Sequence, residues 1–368
     1  MDRFEKEKGL GYGFKIGLMG ALIGGLVVAM VILGVLYATG TIGGKRTETI
    51  AGQKVVVNDL EASTQVEAVA QVVPQSVVGV TAAVTQQSLM GTTDGQSVGS
   101  GFIVTTDGYI VTNQHVVADS TSISISLDDG GTYPGQLIWS DSNLDLAVVK
   151  IEKTDLPVVT LGDSNNVKVG ETVIAIGNPM GLSYERSVTA GIVSALNRSL
   201  MVDSNLVAED LIQTDATINA GNSGGPLCNG KGEVIGINTY KNYQAEGMGF
   251  ALPVNILRPI ISKIVANGSF TPIVIGISGY DSQQAAYFSN SEKFDSGIYV
   301  NAVESGSGAE QAGLAKGDII ISLEGQNVNS MLGMKSILYA LNPGDTISIT
   351  YKHGNAVKAA DVTVQAAQ

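Results

Sequence analysis

The chain has 368 residues, a formal net charge of −13 and a single cysteine, Cys228. Its length corresponds to about two domains. The acidic balance argues against nucleic acid as a partner, because nucleic-acid-binding proteins usually carry a basic patch. One cysteine excludes an internal disulfide framework. The 46 glycines indicate a chain rich in turns and β-strands.

The N-terminal region contains an uncharged segment, which runs from Ile16 to Tyr37 after a polar, charge-rich stretch at 1–15. At about 1.5 Å per residue, a helix of this length spans a hydrocarbon core of about 30 Å. A signal-peptide core is shorter, so we predict a cytoplasmic tail at 1–15 and a retained transmembrane signal anchor at 16–37. Cleavage near Ala38 is the alternative. Lysine and arginine are more frequent before this segment than after it, which favours an extracytoplasmic location for the remainder.

Residues 38–65 lack periodicity and indicate a linker. A short helix is expected from Gln65 to Val73. Short Val- and Ile-rich segments with Asp-Gly or Gly-Gly turns then run from about 76 to 255 and predict two small β-barrels. Examples of the predicted strands are Val77–Val84, Gly101–Thr105, Tyr109–Thr112, Ser122–Leu127, Ala147–Ile151, Thr172–Ile176 and Val234–Asn238. An amphipathic helix at Val254–Ala266 closes this first domain, 66–267.

Composition shifts again near Asn267, and residues 268–368 predict a separate small domain of mixed strands and helices. Helical stretches are expected near 309–312 and 331–341. The predicted strands are Ile273–Ile277, Ile298–Ala302, Asp318–Leu323, Thr346–Lys352 and Lys358–Val364.

The most informative stretch is 219–227, Asn-Ala-Gly-Asn-Ser-Gly-Gly-Pro-Leu. Its glycines let the backbone adopt positive φ and approach a substrate closely. Such a turn can present Ser223 as a nucleophile and direct the N–H groups of Gly221 and Ser223 at a developing oxyanion. The alternative is a plain Gly/Asn turn that closes a hairpin.

A histidine and an aspartate stand in settings that fit a serine nucleophile. His115 is the only histidine of the first domain, and an imidazole suits proton transfer near neutral pH. Asp145 precedes an apolar strand, where a carboxylate is costly to bury unless a group such as an imidazole N–H binds it. Asp141 is the rival for this role. Cys228 is assigned to the core as a small apolar residue.

Residues 76–368 resemble HtrA (Deg-type) serine proteases, in which a chymotrypsin-like double β-barrel precedes a PDZ domain. The resemblance implies that His115 is the general base and then acid, Asp145 the orienting carboxylate and Ser223 the nucleophile. It implies an oxyanion hole at Gly221 and Ser223, and it calls for no cofactor and no metal. The stretches that carry it are 99–102, 112–117, 145–150, 161–164, 175–179, 189–194, 213–215, 221–227 and 249–253.

The same resemblance assigns further residues. Ile218 would line a specificity pocket for small or medium apolar residues, without a counter-charge for Lys or Arg. Residues 197–210 would form a regulatory loop containing Arg198, with an ordinary surface loop as the alternative. A short loop at 86–96 disfavours large cages and leaves a homotrimer as the expected assembly.

The C-terminal domain resembles a PDZ domain that receives a peptide. Its stretch Ile275, Gly276 and Ile277 would bind a C-terminal carboxylate, and the strand edge would add the peptide by β-augmentation. Met334, Leu338 and Leu341 would line the groove, or belong to the core. His353 is expected at the surface without a catalytic role.

Together these features predict an ATP-independent serine endopeptidase that cleaves misfolded or regulatory proteins outside the cytoplasmic membrane. The sequence contains no Walker-type phosphate loop. The alternatives are a non-proteolytic chaperone or peptide-binding scaffold, and an esterase. The intact set of serine, histidine and aspartate favours the protease over the scaffold.

Overall fold

The computed structural model describes residues 64–88, 91–177, 187–202, 207–219, 221–241, 247–288 and 291–367. All of them belong to one compact unit, 51–368. The predicted tail, the predicted membrane anchor at 16–37 and the linker up to residue 63 lie outside the described residues. Within the described ranges, no helix is both long and apolar enough to cross a bilayer.

The first barrel follows a short N-terminal helix. Helix α1 is Gln65–Val72, and its N-cap Thr64 accepts the N–H of Glu67 through Oγ1. Six antiparallel strands then close in the order β1-β2-β3-β6-β5-β4. They are β1 (Val77–Ser88), β2 (Gly91–Ile103), β3 (Tyr109–Thr112), β4 (Ser120–Ser126), β5 (Thr132–Asp141) and β6 (Leu146–Lys150), with helix α2 (Gln114–Val117) between β3 and β4.

The second barrel is a seven-stranded sheet in the order β11-β8-β9-β10-β13-β12-β7. Strand β11 also pairs with β12, which closes six of these strands into a ring, and β7 adds to β12 in parallel. The strands are β7 (Thr160–Leu161), β8 (Thr172–Gly177), β9 (Ser187–Met201), β10 (Val207–Thr214), β11 (Pro226–Asn229), β12 (Glu233–Lys241) and β13 (Gly249–Pro253). Helix α3, Leu257–Asn267, follows and ends at Gly268, which adopts φ 76°.

The C-terminal domain contains a five-stranded sheet in the order β15-β16-β17-β19-β20, to which β18 adds beside β17. A two-stranded sheet pairs β14 with β21. The elements are β14 (Ile273–Val274), β15 (Ile277–Asp281), β16 (Ile298–Val303), α4 (Gly308–Gln311), β17 (Ile319–Leu323), β18 (Gln326–Asn327), α5 (Met331–Leu338), β19 (Thr346–His353), β20 (Ala356–Thr363) and β21 (Gln365–Ala366).

Three sequence predictions about local structure are wrong. The regulatory loop expected at 197–210 is strand at both ends, because 197–201 belong to β9 and 207–210 to β10. The loop expected at 86–96 lies largely in the β1–β2 hairpin, where Ser88 pairs with Gly91. The single strand expected at 273–277 is broken into β14 and β15, because Gly276 adopts φ 83°.

Each barrel has its own apolar core, and a larger core continues from the barrel interface through α3 into the C-terminal domain. Edge-to-face aromatic contacts mark this continuity. The ring of Trp139 on β5 lies 5.4 Å from that of Phe270, which lies 5.1 Å from that of Tyr339 at the end of α5. The two predicted domains are therefore packed together through buried side chains.

Candidate active site

The structure brings His115 and Asp145 into direct contact. Asp145 precedes β6 with φ 50°, and its side chain is buried while that of His115 is 48% exposed. Its Oδ1 and Oδ2 lie 2.9 and 2.8 Å from His115 Nδ1, and Oδ1 also accepts the backbone N–H of His115 at 3.0 Å. Thr239 Oγ1 donates to Asp145 Oδ2 at 2.5 Å. This carboxylate can therefore fix the imidazole orientation and stabilise its protonated form.

Asp141, the rival aspartate, has a different task. At the end of β5, its Oδ1 accepts the N–H groups of Asn143 and Leu144 at 2.8 and 3.1 Å, which shapes the turn before Asp145.

Ser223 lies on the turn between the two barrels. Its carbonyl accepts the N–H of Ser100 on β2 at 2.8 Å, and Ser100 Oγ donates to Gly221 O at 2.5 Å. Ser223 Oγ donates to Thr239 O at 3.5 Å, and within the described residues no hydrogen bond joins it to His115. The backbone N–H groups of Gly221 and Ser223 donate to no described atom. The first barrel thus holds the turn through Ser100 while these two amides stay available to a ligand.

Two glycines allow the turn to pack this closely. Gly224 adopts φ 83°, and a Cβ there would lie 2.2 Å from Ser100 O. A Cβ on Gly177 of β8 would lie 2.3 Å from Asn222 Cβ. A side chain at either position would push the turn away from the strands that hold it.

Asn222 connects the turn at 221–224, which carries the predicted nucleophile Ser223 and is called the nucleophile turn below, to the segment before it. It is 6% exposed, its Nδ2 donates to Thr217 O at 3.0 Å, and its Oδ1 accepts the N–H of Asn219 at 3.0 Å. Sequence reasoning gave Asn222, Ser100 and Thr239 no role. The signal for Asn222 was available: a short polar side chain between two positions that need exposed amides is suited to bond the local backbone.

Residues 215–218 form one wall of a cavity of about 290 Å³. Ile218 is 3% exposed and packs so closely against Gly249 that a Cβ there would lie 2.4 Å from Ile218 Cγ1. Asp215 also lines this cavity, and its Oδ1 accepts the N–H of Ile192 at 2.7 Å. The lining residues are Asp215, Ala216, Thr217, Ile218, Gly247, Met248 and Gly249.

The predicted peptide-binding residues form the turn between β14 and β15. Gly276 O accepts the N–H of Glu304 at 2.9 Å, and Ile275 O accepts that of Ala309 at 2.9 Å. The N–H of Gly276 donates to no described atom. Ile277 begins β15, which is the edge strand of its sheet among the described strands. The turn therefore directs its carbonyls inward and leaves a backbone donor beside an open strand edge.

The remaining predicted residues lie apart from these two sites. Arg198 is exposed on β9 and pairs with Leu211 of β10. The carbonyl of the next residue, Ser199, accepts the hydroxyl of Tyr287 at 2.8 Å, so Arg198 lies beside the C-terminal domain. Cys228 is fully buried, as expected, and burial raises the pKa of its thiol. His353 is half exposed but not free, because its Nδ1 lies 2.7 Å from Asp318 Oδ1.

Comparison with known proteins agrees with this geometry. Residues 99–237 match the trypsin-like peptidase domain, and residues 274–364 match the PDZ domain. The fold and the site therefore define a trypsin-like serine protease that carries one C-terminal PDZ domain.

Individual relatives narrow this class of trypsin-like serine proteases to one family. The chain is 35% identical to the serine protease Do-like HtrB of Bacillus subtilis, over 93% of this chain and 81% of that protein. It is 40% identical to a probable periplasmic DegP-like serine endoprotease of Chlamydia pneumoniae, over 73% of this chain and 55% of the relative. A solved variant of the HtrA-type protease AlgW with a decapeptide matches with a TM-score of 0.63 and 29% identity, over 82% of this chain and 98% of that one. The chain belongs to the HtrA family of serine proteases.

Proposed function

We propose that this protein is an ATP-independent endopeptidase that cleaves misfolded or regulatory proteins with a triad of Ser223, His115 and Asp145. The observation that carries the proposal is the contact of both Asp145 carboxylate oxygens with His115 Nδ1 at 2.8 and 2.9 Å. It lies beside a serine turn with two backbone N–H groups that no described atom accepts. This combination suits acyl transfer.

The reaction begins when Ser223 Oγ rotates from Thr239 O towards His115. Nε2 of His115 takes the hydroxyl proton as Oγ attacks the scissile carbonyl carbon. Asp145 accepts the Nδ1–H and stabilises the imidazolium, while the N–H groups of Gly221 and Ser223 bind the oxyanion. The imidazolium then protonates the leaving amine. In the second half of the reaction, His115 takes a proton from a water molecule, which attacks the acyl carbon, and then returns that proton to Ser223 Oγ as the acyl group leaves.

For specificity, we propose that Ile218 limits the pocket to small or medium apolar residues before the scissile bond. Asp215 does not change this expectation, because its Oδ1 already binds the N–H of Ile192. Preferential cleavage after Lys or Arg in a peptide-library profile would contradict this assignment.

For the PDZ domain at 268–368, we propose that Ile275, Gly276 and Ile277 receive the C-terminal carboxylate of a peptide that adds to β15. Solved HtrA-type relatives described with a decapeptide or a tripeptide support this assignment. Arg198, on the strand that contacts Tyr287, is proposed to relay peptide binding to the protease domain at 66–267.

For location, we propose an extracytoplasmic protease held at the membrane by residues 16–37, with 1–15 in the cytoplasm and 38–65 as linker. The charge-free stretch from Ile16 to Tyr37 supports the anchor, and the periplasmic names of several relatives support the compartment. A homotrimer, proposed from the family resemblance, is testable by the mass of the detergent-solubilised chain.

The decisive experiment compares the chain with Ser223→Ala in cleavage of casein and in labelling by a fluorophosphonate probe. We expect labelling at Ser223 that His115→Ala abolishes, and casein cleavage that both substitutions remove. Equal cleavage by the wild type and Ser223→Ala would overturn the proposal. Binding of unfolded protein without labelling or cleavage would support the non-proteolytic chaperone instead.

A further inference from the structure

Three carboxyl groups meet where the second barrel contacts the PDZ domain. Glu209 and Asp210 lie on β10, and Asp281 ends β15; we call these three residues the acidic cluster. Lys335 Nζ on α5 lies 3.2 Å from Glu209 Oε1. Ser330 Oγ, at the N-cap of the same helix, donates to Asp210 Oδ2 at 2.7 Å. Among the described residues, the one ion pair within this group is that between Lys335 and Glu209.

The carboxyl oxygens of the acidic cluster are not all paired with a cation or a hydrogen-bond donor. Glu209 is only 8% exposed, and its Oε2 is buried with no hydrogen-bond partner. Burial raises the pKa of Glu209 to about 7, with Lys335 acting against it and Asp281 adding to it. Burial also raises the pKa of Asp210 to about 6, and that of Asp281 above its ordinary value. Because buried carboxylates are costly without partners, an added positive charge at this place would be stabilised.

The cluster lies at one defined end of the proposed peptide groove. Strand β15 begins at Ile277, beside the Gly276 turn, and ends at Asp281. The backbone N–H of Met331, the first residue of α5, lies near enough to Asp281 to act against the rise in the pKa of its carboxyl. Strand β15 therefore extends from the proposed carboxylate-binding turn at one end to the acidic cluster at the other.

A peptide that adds antiparallel to β15 with its carboxylate at Gly276 runs towards this end. Antiparallel strands pair residue by residue, so its last residue lies opposite Ile277 and the residue about four positions earlier lies opposite Asp281. Long side chains at about this position, and at the next one or two, are within reach of the cluster. Asp210 is the partly exposed member, and its Oδ1 has no hydrogen-bond partner among the described residues.

We propose that the acidic cluster makes the PDZ domain prefer peptide C-termini that carry a lysine or arginine about four to six residues before the terminal carboxylate. This inference rests on the proposed binding of peptide C-termini by the same domain. The incoming cation pairs with Asp210, while Glu209 and Asp281 supply the surrounding negative potential. The protease barrel thereby contributes part of the recognition surface of the PDZ domain.

The test uses the full chain in detergent with Ser223→Ala, so that peptides are bound and not cut. Fluorescent peptides share their apolar C-terminal residues and differ only by Lys, Gln or Glu at the upstream positions. We expect the Lys peptide to bind about fivefold more tightly than the Gln peptide, and the Glu peptide more weakly still, as for a partly exposed ion pair. About 1 M salt should reduce the difference.

Asp210→Asn provides the diagnostic variant. Asparagine tolerates the φ of 58° at this position and keeps an acceptor for Ser330. It should bring the affinities for the Lys and Gln peptides to within about twofold of each other. Asp361→Asn removes the same charge from β20, at the opposite edge of the sheet, and should leave the preference intact.

If the chain that keeps Asp210 binds all peptides of the series with equal affinity, the inference is wrong, but the proposed binding of peptide C-termini by the PDZ domain is unaffected. A preference that persists in Asp210→Asn would also overturn it. If no peptide of the series binds while the Ser223 form is still labelled by fluorophosphonate, the PDZ assignment fails together with the inference, and the proposed catalytic triad stands.

Discussion

Asn222→Ala tests whether the nucleophile turn and the pocket wall act as one unit. The substitution removes two hydrogen bonds, at 3.0 Å to Thr217 O and 3.0 Å from Asn219 N, and leaves the Cβ that packs on Gly177. At about 1 kcal/mol for each bond, alignment of the turn loses about 2 kcal/mol, or about 30-fold in kcat/KM. We expect the loss mainly in kcat, because the amides of Gly221 and Ser223 are proposed to act on the transition state.

The assay measures kcat and KM on a peptide with an apolar residue before the scissile bond, together with Tm. Asn229→Ala is the matched control, because Asn229 is 9% exposed and its Oδ1 accepts the N–H groups of Lys231 and Glu233 in the β11–β12 turn. We expect a similar fall in Tm for both variants and a kinetic loss only for Asn222→Ala. A kcat/KM within about twofold of the wild type would refute the reasoning.

Three further predictions concern other parts of the molecule. Asp145→Asn should lower kcat by about 10³–10⁴, because an amide facing His115 Nδ1 favours the wrong tautomer; a loss below tenfold on the same substrate would contradict the assigned role. Gly276→Ala should abolish peptide binding while fluorophosphonate labelling of Ser223 persists, because its Cβ would lie 2.1 Å from Ser307 Cβ, whereas the control Gly306→Ala meets nothing within 4 Å at a similar φ of 78°; retained binding would argue against the turn as the carboxylate site. Burial holds the pKa of Glu209 at about 7, above its ordinary 4.5, so the folded chain binds this proton more tightly than the unfolded chain. We therefore expect that about 3 kcal/mol of the free energy of unfolding, present below about pH 4.5, is lost as the pH rises to 7. Glu209→Gln should flatten this dependence in thermal unfolding, and an unchanged profile would show that another group causes it.

The sequence was most informative where chemistry restricts the choice of residue. Ser223, His115 and Asp145 could be chosen because a glycine-framed serine, the sole histidine of its domain and an aspartate before an apolar strand are each unusual. The contact between His115 and Asp145 could not be predicted from the sequence, because 30 positions separate the two residues along the chain and only the fold brings them together. The supporting groups Ser100 and Thr239 carry no such signal, because a hydroxyl on a strand is common.

The prediction of local structure from the sequence failed where strands are polar. Residues 197–210 contain Asn197, Arg198 and Asp210, which suggest a loop, yet β9 and β10 extend through them. The pairing of β9 with β10 is irregular there, with φ of 54° at Asn197 and 58° at Asp210. This part of the sheet packs against the PDZ domain, for example through Ser330 and Asp210, and not against a continuous apolar core. Strand β5 gives a weak sequence signal for a related reason, because Pro134 and Gly135 interrupt its alternation.

The aromatic chain formed by Trp139, Phe270 and Tyr339 has a practical consequence for dissecting this enzyme. A truncation at residue 267 would remove Phe270 and Tyr339 and leave the indole of Trp139, with the neighbouring apolar side chains of α3, facing water. The isolated barrels would then tend to self-associate, so a change in their turnover would reflect aggregation as well as the loss of the PDZ domain. Communication between the two halves is therefore better measured in intact chains that differ by one side chain.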